Sequence, residues 1–208
     1  MASDAARGLA FLHGASGNNE PLVHQDVKPA NILLGVSAGT KAGEPTLVAK
    51  LSDFGLARLA PELARGSVTH ISTQTVAGTL PYMPPEFVMS RRVSTKTDAF
   101  AFGVVLVQLV TAKPPVHPVT RELLVDELDP VIEDPAGQLS AHLDKLAGTW
   151  PDGDAEALVR IAGRCLEAKP QRRSGVIELV PELDRLAGRA ALSNAPAPDD
   201  DPQSIVST

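Results

Sequence analysis

Asp26, Lys28, Asn31 and Asp53 are residue types suited to phosphoryl transfer, and they lie close together in the chain. The first three share the string His24-Gln25-Asp26-Val27-Lys28-Pro29-Ala30-Asn31, and the fourth opens Asp53-Phe54-Gly55. Moving a phosphoryl group requires a group that orients the acceptor hydroxyl, cations that offset phosphate charge, and hard oxygen ligands for Mg²⁺. Asp26 suits the first task, as a carboxylate able to accept a hydroxyl proton. Lys28 supplies a cation two residues on, within reach of a transferring phosphate. Asn31 and Asp53 bring the amide and carboxylate oxygens that Mg²⁺ prefers. Gly55 permits close backbone approach and unusual dihedrals beside Asp53. A solitary Asp-Phe-Gly commonly marks no more than a turn. His-x-Asp-x-Lys-x-x-Asn is much rarer, and Gly78-Thr79 and Pro84-Pro85-Glu86 follow both. Coincidence is a poor account of the whole set.

The flanking patterns say how such residues are held. Ala5 to His13 reads as the end of a helix, with Leu9, Leu12 and His13 at helical spacing and Gly14 as a stop. Gly14 to Pro21 reads as a loop. Leu22-Val23-His24 and Asn31-Ile32-Leu33-Leu34 read as small strands around the Asp26 string. Gly35 to Thr46 reads as an extended hairpin loop, and Leu47 to Leu51 as a strand delivering the chain to Asp53. Leu59 to Ala77 is rich in Ser and Thr and reads as a surface segment. Ser94 or Thr97 is expected to cap a helix running through Val110, and Asp154 another running to Ala168. Ser174 opens a third that ends near Gly188, and a further helix is expected at Thr120–Leu128.

Composition narrows the class. A chain of 208 residues with 43% apolar and 21% charged residues fits one globular domain. Residues 1–188 form that domain, and 189–208, rich in Ala, Pro and Asp, are expected to be a disordered acidic tail. The net charge of −6 gives no footprint for nucleic acid. The lone Cys165 fits a reducing compartment and reads as a core thiol. No signal-peptide layout opens the chain, and the apolar run Ala99–Ala112 falls short of the ~20 residues that span a bilayer. A soluble, cytoplasmic protein is expected, with no membrane span in this chain.

The chain resembles a eukaryotic protein kinase, and within that superfamily the Pelle, interleukin-1-receptor-associated and plant receptor-like kinases. The resemblance rests on Ala6-Arg7-Gly8-Leu9-Ala10-Phe11-Leu12-His13, Val27-Lys28-Pro29-Ala30-Asn31-Ile32-Leu33-Leu34 and Leu51-Ser52-Asp53-Phe54-Gly55-Leu56-Ala57-Arg58. Gly78-Thr79-Leu80-Pro81-Tyr82-Met83-Pro84-Pro85-Glu86-Phe87 and the run Thr97 to Leu106 extend it. It covers roughly Ala5 to Ala187 and implies a mainly α fold: a kinase C-lobe, a helical bundle with small β-hairpins around the catalytic loop and the N-lobe absent. Nothing upstream of His24 resembles a Gly-rich phosphate loop or an ATP-anchoring lysine strand.

The resemblance further implies a serine/threonine protein kinase using ATP and Mg²⁺, with a protein substrate bearing a Ser or Thr acceptor and an upstream receptor or adaptor. Asp26, Lys28, Asn31, Asp53 and Thr79 would be catalytic. Lys28, Asn31 and Asp53 would meet the nucleotide, and Asn31 and Asp53 the metal. Residues 53–86 would be an activation segment, with Ser67, Thr69, Ser72, Thr73 and Thr75 as candidate phosphorylation sites. His24 and Phe54 would stack, Asp98 would hold the catalytic-loop backbone, and Glu86 and Arg173 would pair in the interior. Trp150 would plug the helical core. Gln25 departs from the pattern: many kinases carry an arginine there, which pairs with a phosphorylated loop residue. A neutral amide cannot, which puts activation by loop phosphorylation in question unless Arg58 or another base substitutes. Two other readings compete, a pseudokinase-like binding module and a small-molecule phosphotransferase. The retained Asp26, Lys28, Asn31 and Asp53 argue against the first, and the Gly-Thr and Pro-Pro-Glu elements against the second.

Overall fold

The computed structural model describes residues 1–14, 21–38, 45–59 and 79–188. Helix α1 (Ala2–Gly14) is followed by a short strand β1 (Leu22–Val23) and by an antiparallel ribbon of β2 (Ile32–Ala38) and β3 (Pro45–Leu51). Strand β4 (Arg58–Leu59) returns to pair with β1. The helices α2 (Pro85–Ser90), α3 (Thr95–Thr111), α4 (Leu124–Glu127), α5 (Asp129–Glu133), α6 (Asp154–Leu166) and α7 (Val176–Leu186) complete the order.

Helix α3 is the centre of the core. Ala99, Phe102, Val104, Leu106 and Val110 are all buried, so the helix is apolar nearly all round, as a fully enclosed helix must be. Ser94 caps it: the Lys96 N–H donates to Ser94 Oγ, and the Ser94 N–H donates to Thr97 Oγ1. Thr97 is therefore the partner in a capping box and not the cap. Helix α6 lies against α3 at unusually close range. A Cβ on Gly103 would stand 2.7 Å from the Cys165 Cβ and 2.9 Å from Leu166 Cγ, so only glycine fits. On the other flank α7 runs along α1, tied by Asp184, which accepts from Ser3 Oγ and from Arg7 Nε and Nη2.

Several expectations need correcting. The mainly α description with an absent N-lobe understates the β structure, because the chain runs helix, then two ribbons, then helices. The β2–β3 ribbon has seven residues in each strand. Gly35 to Thr46 is not one long loop: the ladder continues through Gly35, which pairs with Val48. One face of the ribbon carries Ile32, Leu34 and Val36 opposite Leu51, Ala49 and Leu47, so the apolar alternation persists where a glycine suggested a break. The helix expected at Thr120–Leu128 forms only over Leu124–Glu127. Arg121 is left-handed at φ 65°, and a bridge between Val116 and Leu123 uses the preceding residues. Gly153, at φ 79°, and not Asp154, precedes α6, which ends at Leu166. Gly175, not Ser174, precedes α7. The loop core at 15–20, the candidate phosphorylation sites and the tail lie outside the described residues.

Arg173 is fully enclosed, and all five of its N–H groups are used. Nη1 donates to Glu86 Oε1 at 2.7 Å and to the Lys96 carbonyl at 2.9 Å. Nη2 donates to Glu86 Oε2 at 3.1 Å and to the Ala168 carbonyl, and Nε to the Glu167 carbonyl. The guanidinium also lies over the Phe100 ring. This arginine joins α2, the start of α3 and the turn after α6. Trp150 packs partly buried against the same core, with its indole N–H enclosed and without an acceptor among the described residues.

Removing Glu86 strands that charge in the interior. Glu86→Ala is expected to lower unfolding stability by about 3–5 kcal/mol in urea titration, and a loss below about 1 kcal/mol would refute the wiring. Burial pushes the Cys165 thiol up from 9.0 to about 12. The folded protein therefore holds that proton more tightly than the unfolded chain. The resulting stability is intact below pH 9.0 and is lost as pH rises toward about 12. A thiol reagent at pH 8 should label Cys165 only after denaturant is added; rapid labelling of native protein would contradict the burial.

Candidate active site

The site is assembled around the Asp98 carboxylate. Asp98 lies in the first turn of α3, where the helix dipole favours an anion. Its Oδ2 accepts from the His24 N–H and its Oδ1 from the Gln25 N–H, both at 2.8 Å. His13, on the last turn of α1, places Nε2 2.8 Å from the same Oδ2. These bonds turn the chain sharply after β1 and hold Gln25 in a left-handed conformation at φ 68°. A non-glycine residue adopts that region at a cost, which the two backbone bonds offset.

Asp26 emerges from the turn into a closed polar cluster. Lys28 Nζ donates to its two carboxylate oxygens at 2.9 and 2.8 Å, and Thr79 Oγ1 donates to Oδ1 at 3.0 Å. Lys28 Nζ also stands 3.4 Å from Thr79 Oγ1. Asn31 donates through Nδ2 to Asp26 Oδ2 at 2.9 Å and to the Asp26 carbonyl at 2.7 Å. Its Oδ1, the atom a metal would use, takes no part in these bonds. Asp26, Asn31 and Thr79 are all buried, and buried polar groups of this kind must be mutually satisfied.

Strand β3 brings the remaining carboxylate. The Ser52 N–H donates to the Asn31 carbonyl at 2.9 Å, fixing the strand end to the Asn31 turn. Asp53 follows in a left-handed conformation at φ 60°, is solvent-exposed, and accepts from the Gly55 N–H. His24 sits beneath, its Nε2 3.0 Å from the Ser52 carbonyl and its ring 5.2 Å from that of Phe54, tilted by 54°. The contact expected between His24 and Phe54 is therefore present as a tilted pair. Gln25 Nε2 donates to the Leu56 carbonyl at 2.5 Å. Sequence reasoning did not find that bond, nor the role of His13, because neither a lone glutamine nor a helix-end histidine advertises a distant partner.

Thr79 lies just ahead of the turn Leu80–Tyr82. Tyr82 donates to Gln108 Oε1 at 2.8 Å; burial raises its phenol above the ordinary value, and the Gln108 bond partly opposes this. The five expected residues thus divide. Asp26, Lys28, Asn31 and Thr79 form one bonded cluster, and Asp53 stands beside it through Ser52 and Asn31. Among the described residues no group of three or more His, Cys, Asp or Glu side chains could enclose a metal alone. Asn31 and Asp53 together are a partial set of hard oxygens, the kind that holds Mg²⁺ alongside water and phosphate.

Comparison with known proteins places this arrangement. Residues 1–182 match the family described as protein kinase domain. The match begins at residue 1 and includes α1, both ribbons and the helices through most of α7, which overturns the assignment of the chain as a C-lobe with its N-lobe absent. The matched segment is part of a protein kinase domain, with β structure and helices in one unit. The chain is 36% identical over 191 residues to an EPD1-interacting receptor-like cytoplasmic serine/threonine-protein kinase of Nicotiana benthamiana, covering 90% of this chain and 38% of that protein. It is 36% identical over 190 residues to the probable serine/threonine-protein kinase PBL18 of Arabidopsis thaliana, covering 89% and 44%. U-box domain-containing protein 34 of Arabidopsis thaliana is 36% identical over 190 residues, covering 90% and 21%. The chain spans less than half the length of each of these relatives.

Since Asp98 accepts from the His24 and Gln25 N–H groups and meets His13, Asp98→Ala is expected to cost about 2–3 kcal/mol of unfolding stability by leaving buried donors without an acceptor. Chemical denaturation measures it; a cost under about 1 kcal/mol would mean the turn is held by something else.

Proposed function

The chain belongs to the protein kinase domain family, and we propose that it transfers the γ-phosphate of Mg-ATP to serine and threonine hydroxyls of protein substrates. The observation that carries this reading is the convergence of Lys28 Nζ and Thr79 Oγ1 on the buried Asp26 carboxylate, all within 3.4 Å. Asp26 orients the acceptor hydroxyl and takes its proton, and its own orientation is locked by Asn31. Lys28, already beside Asp26, offsets negative charge as it develops on the transferring group. Thr79 forms the wall against which a small hydroxyl side chain fits. Asn31 and Asp53 would hold Mg²⁺, which supplies neutralisation of the phosphate charge when bound. The relatives named as serine/threonine kinases support the acceptor class, and the one named receptor-like and cytoplasmic supports work in the cytoplasm beneath a receptor or adaptor. No helix among the described residues is long and apolar enough to cross a membrane.

The test is phosphate transfer from labelled Mg-ATP to a serine/threonine peptide mixture. Asp26→Asn should lower the rate by about a hundred- to ten-thousandfold, the range typical of a lost general base, while the circular dichroism stays unchanged. A wild-type rate no higher than that of the variant would sink the enzymatic reading and leave a non-catalytic binding module.

A further inference from the structure

Gln25 makes a side-chain bond that the chemistry above does not use. Its backbone is left-handed at φ 68°, a conformation that disfavours any side chain with a Cβ. Its N–H is held by Asp98. Its side-chain amide reaches across to donate to the Leu56 carbonyl, just past Asp53-Phe54-Gly55, at 2.5 Å. Gln25 also lines a small cavity with Val27, Thr79, Tyr82 and Met83, so the same residue borders the wall that carries Thr79. Three parts of the site meet there: the α3 carboxylate, the turn after Asp53 and the Thr79 segment.

We propose that Gln25 is a positioning residue, whose neutral side-chain amide locks the Phe54–Leu56 turn and so sets the direction of the Asp53 carboxylate toward the Asp26 cluster. This rests on the kinase reading for its consequence, though not for its geometry. The Leu56 carbonyl accepts a donor with no charge, so the lock needs no phosphate and no cation. The Gln25 bond is made on the Asp53 side of the site, to a turn that the Ala57 N–H closes on the Phe54 carbonyl at 3.0 Å and the Gly55 N–H ties to Asp53 Oδ1. Loss of the lock should therefore act first on the metal side of the site and leave the Asp26, Lys28 and Thr79 bonds in place.

The variants are Gln25→Met, which keeps length and removes the donor, and Gln25→Arg, which restores one. Amide hydrogen exchange of Phe54–Ala57 is read in the 208-residue chain. So are the Mg²⁺ concentration for half-maximal binding of a fluorescent ATP analogue and the split between kcat and the KM for Mg-ATP. For Gln25→Met the lock predicts exchange faster by about tenfold and half-saturating Mg²⁺ higher by a similar factor, the scale of one lost hydrogen bond. KM should move more than kcat, with melting temperature nearly unchanged, and Gln25→Arg should return exchange and Mg²⁺ dependence toward wild type. Exchange and Mg²⁺ dependence within twofold of wild type in Gln25→Met would overturn the proposal. If wild type binds no Mg-nucleotide and transfers no phosphate, the kinase reading fails on its own, and the exchange of Phe54–Ala57 still decides whether Gln25 holds the turn.

Discussion

A single buried carboxylate, Asp98, is the constraint from which the rest of the site follows. It accepts from two consecutive backbone N–H groups and meets His13, so it fixes both the end of α1 and the reversal after β1. Burying a carboxylate is expensive unless its lone pairs are satisfied, and here three donors surround it. The reversal in turn aims Asp26 at Lys28, Asn31 and Thr79, which come from a loop, the short 3₁₀ turn Pro29–Asn31 and a distant segment. Each of those side chains would have other conformations open to it if the Asp26 backbone were free. The α3 helix thus serves as foundation as well as core, because the same helix that buries Phe102 and Leu106 carries the carboxylate at its first turn.

Arg173 plays a parallel part further out. Its five satisfied donors attach the segment leading to α2, and hence Thr79, to the helices α3 and α6. The two polar hubs differ in sign and in reach, yet both join elements far apart in sequence through buried, fully bonded charge. Between α3 and α6 the packing is apolar and tight. The absent side chain of Gly103 is what lets the two helices come that close.

The sequence was most legible where chemistry demands particular residue types. Asp26, Lys28 and Asn31 were identifiable because a carboxylate, an ammonium and an amide at those spacings have few other uses; Thr79 was reached only through the resemblance to protein kinases, and the structure brings all four into one bonded cluster. Strands were harder. Gly35 looked like a loop signal, and only the pairing of Val36 with Leu47 across the ribbon shows why it is not one. Helix starts slipped by a residue where glycines at 153 and 175 took the place of an expected Asp or Ser cap. The Thr120 helix failed because a left-handed Arg121 cannot be read from an arginine. Expecting an absent lobe was the largest error, since it turned a list of missing motifs into a statement about architecture.

The two carboxylates of the site live in different surroundings. Asp26 is enclosed by bonds that belong wholly to the protein, while Asp53 faces solvent on a short turn. One half is thus held by the protein's own bonds, and the other lies open to solvent. On the kinase reading proposed above, an emptied centre would keep its acceptor side ready, and the reordering before another round would fall on a few exposed residues.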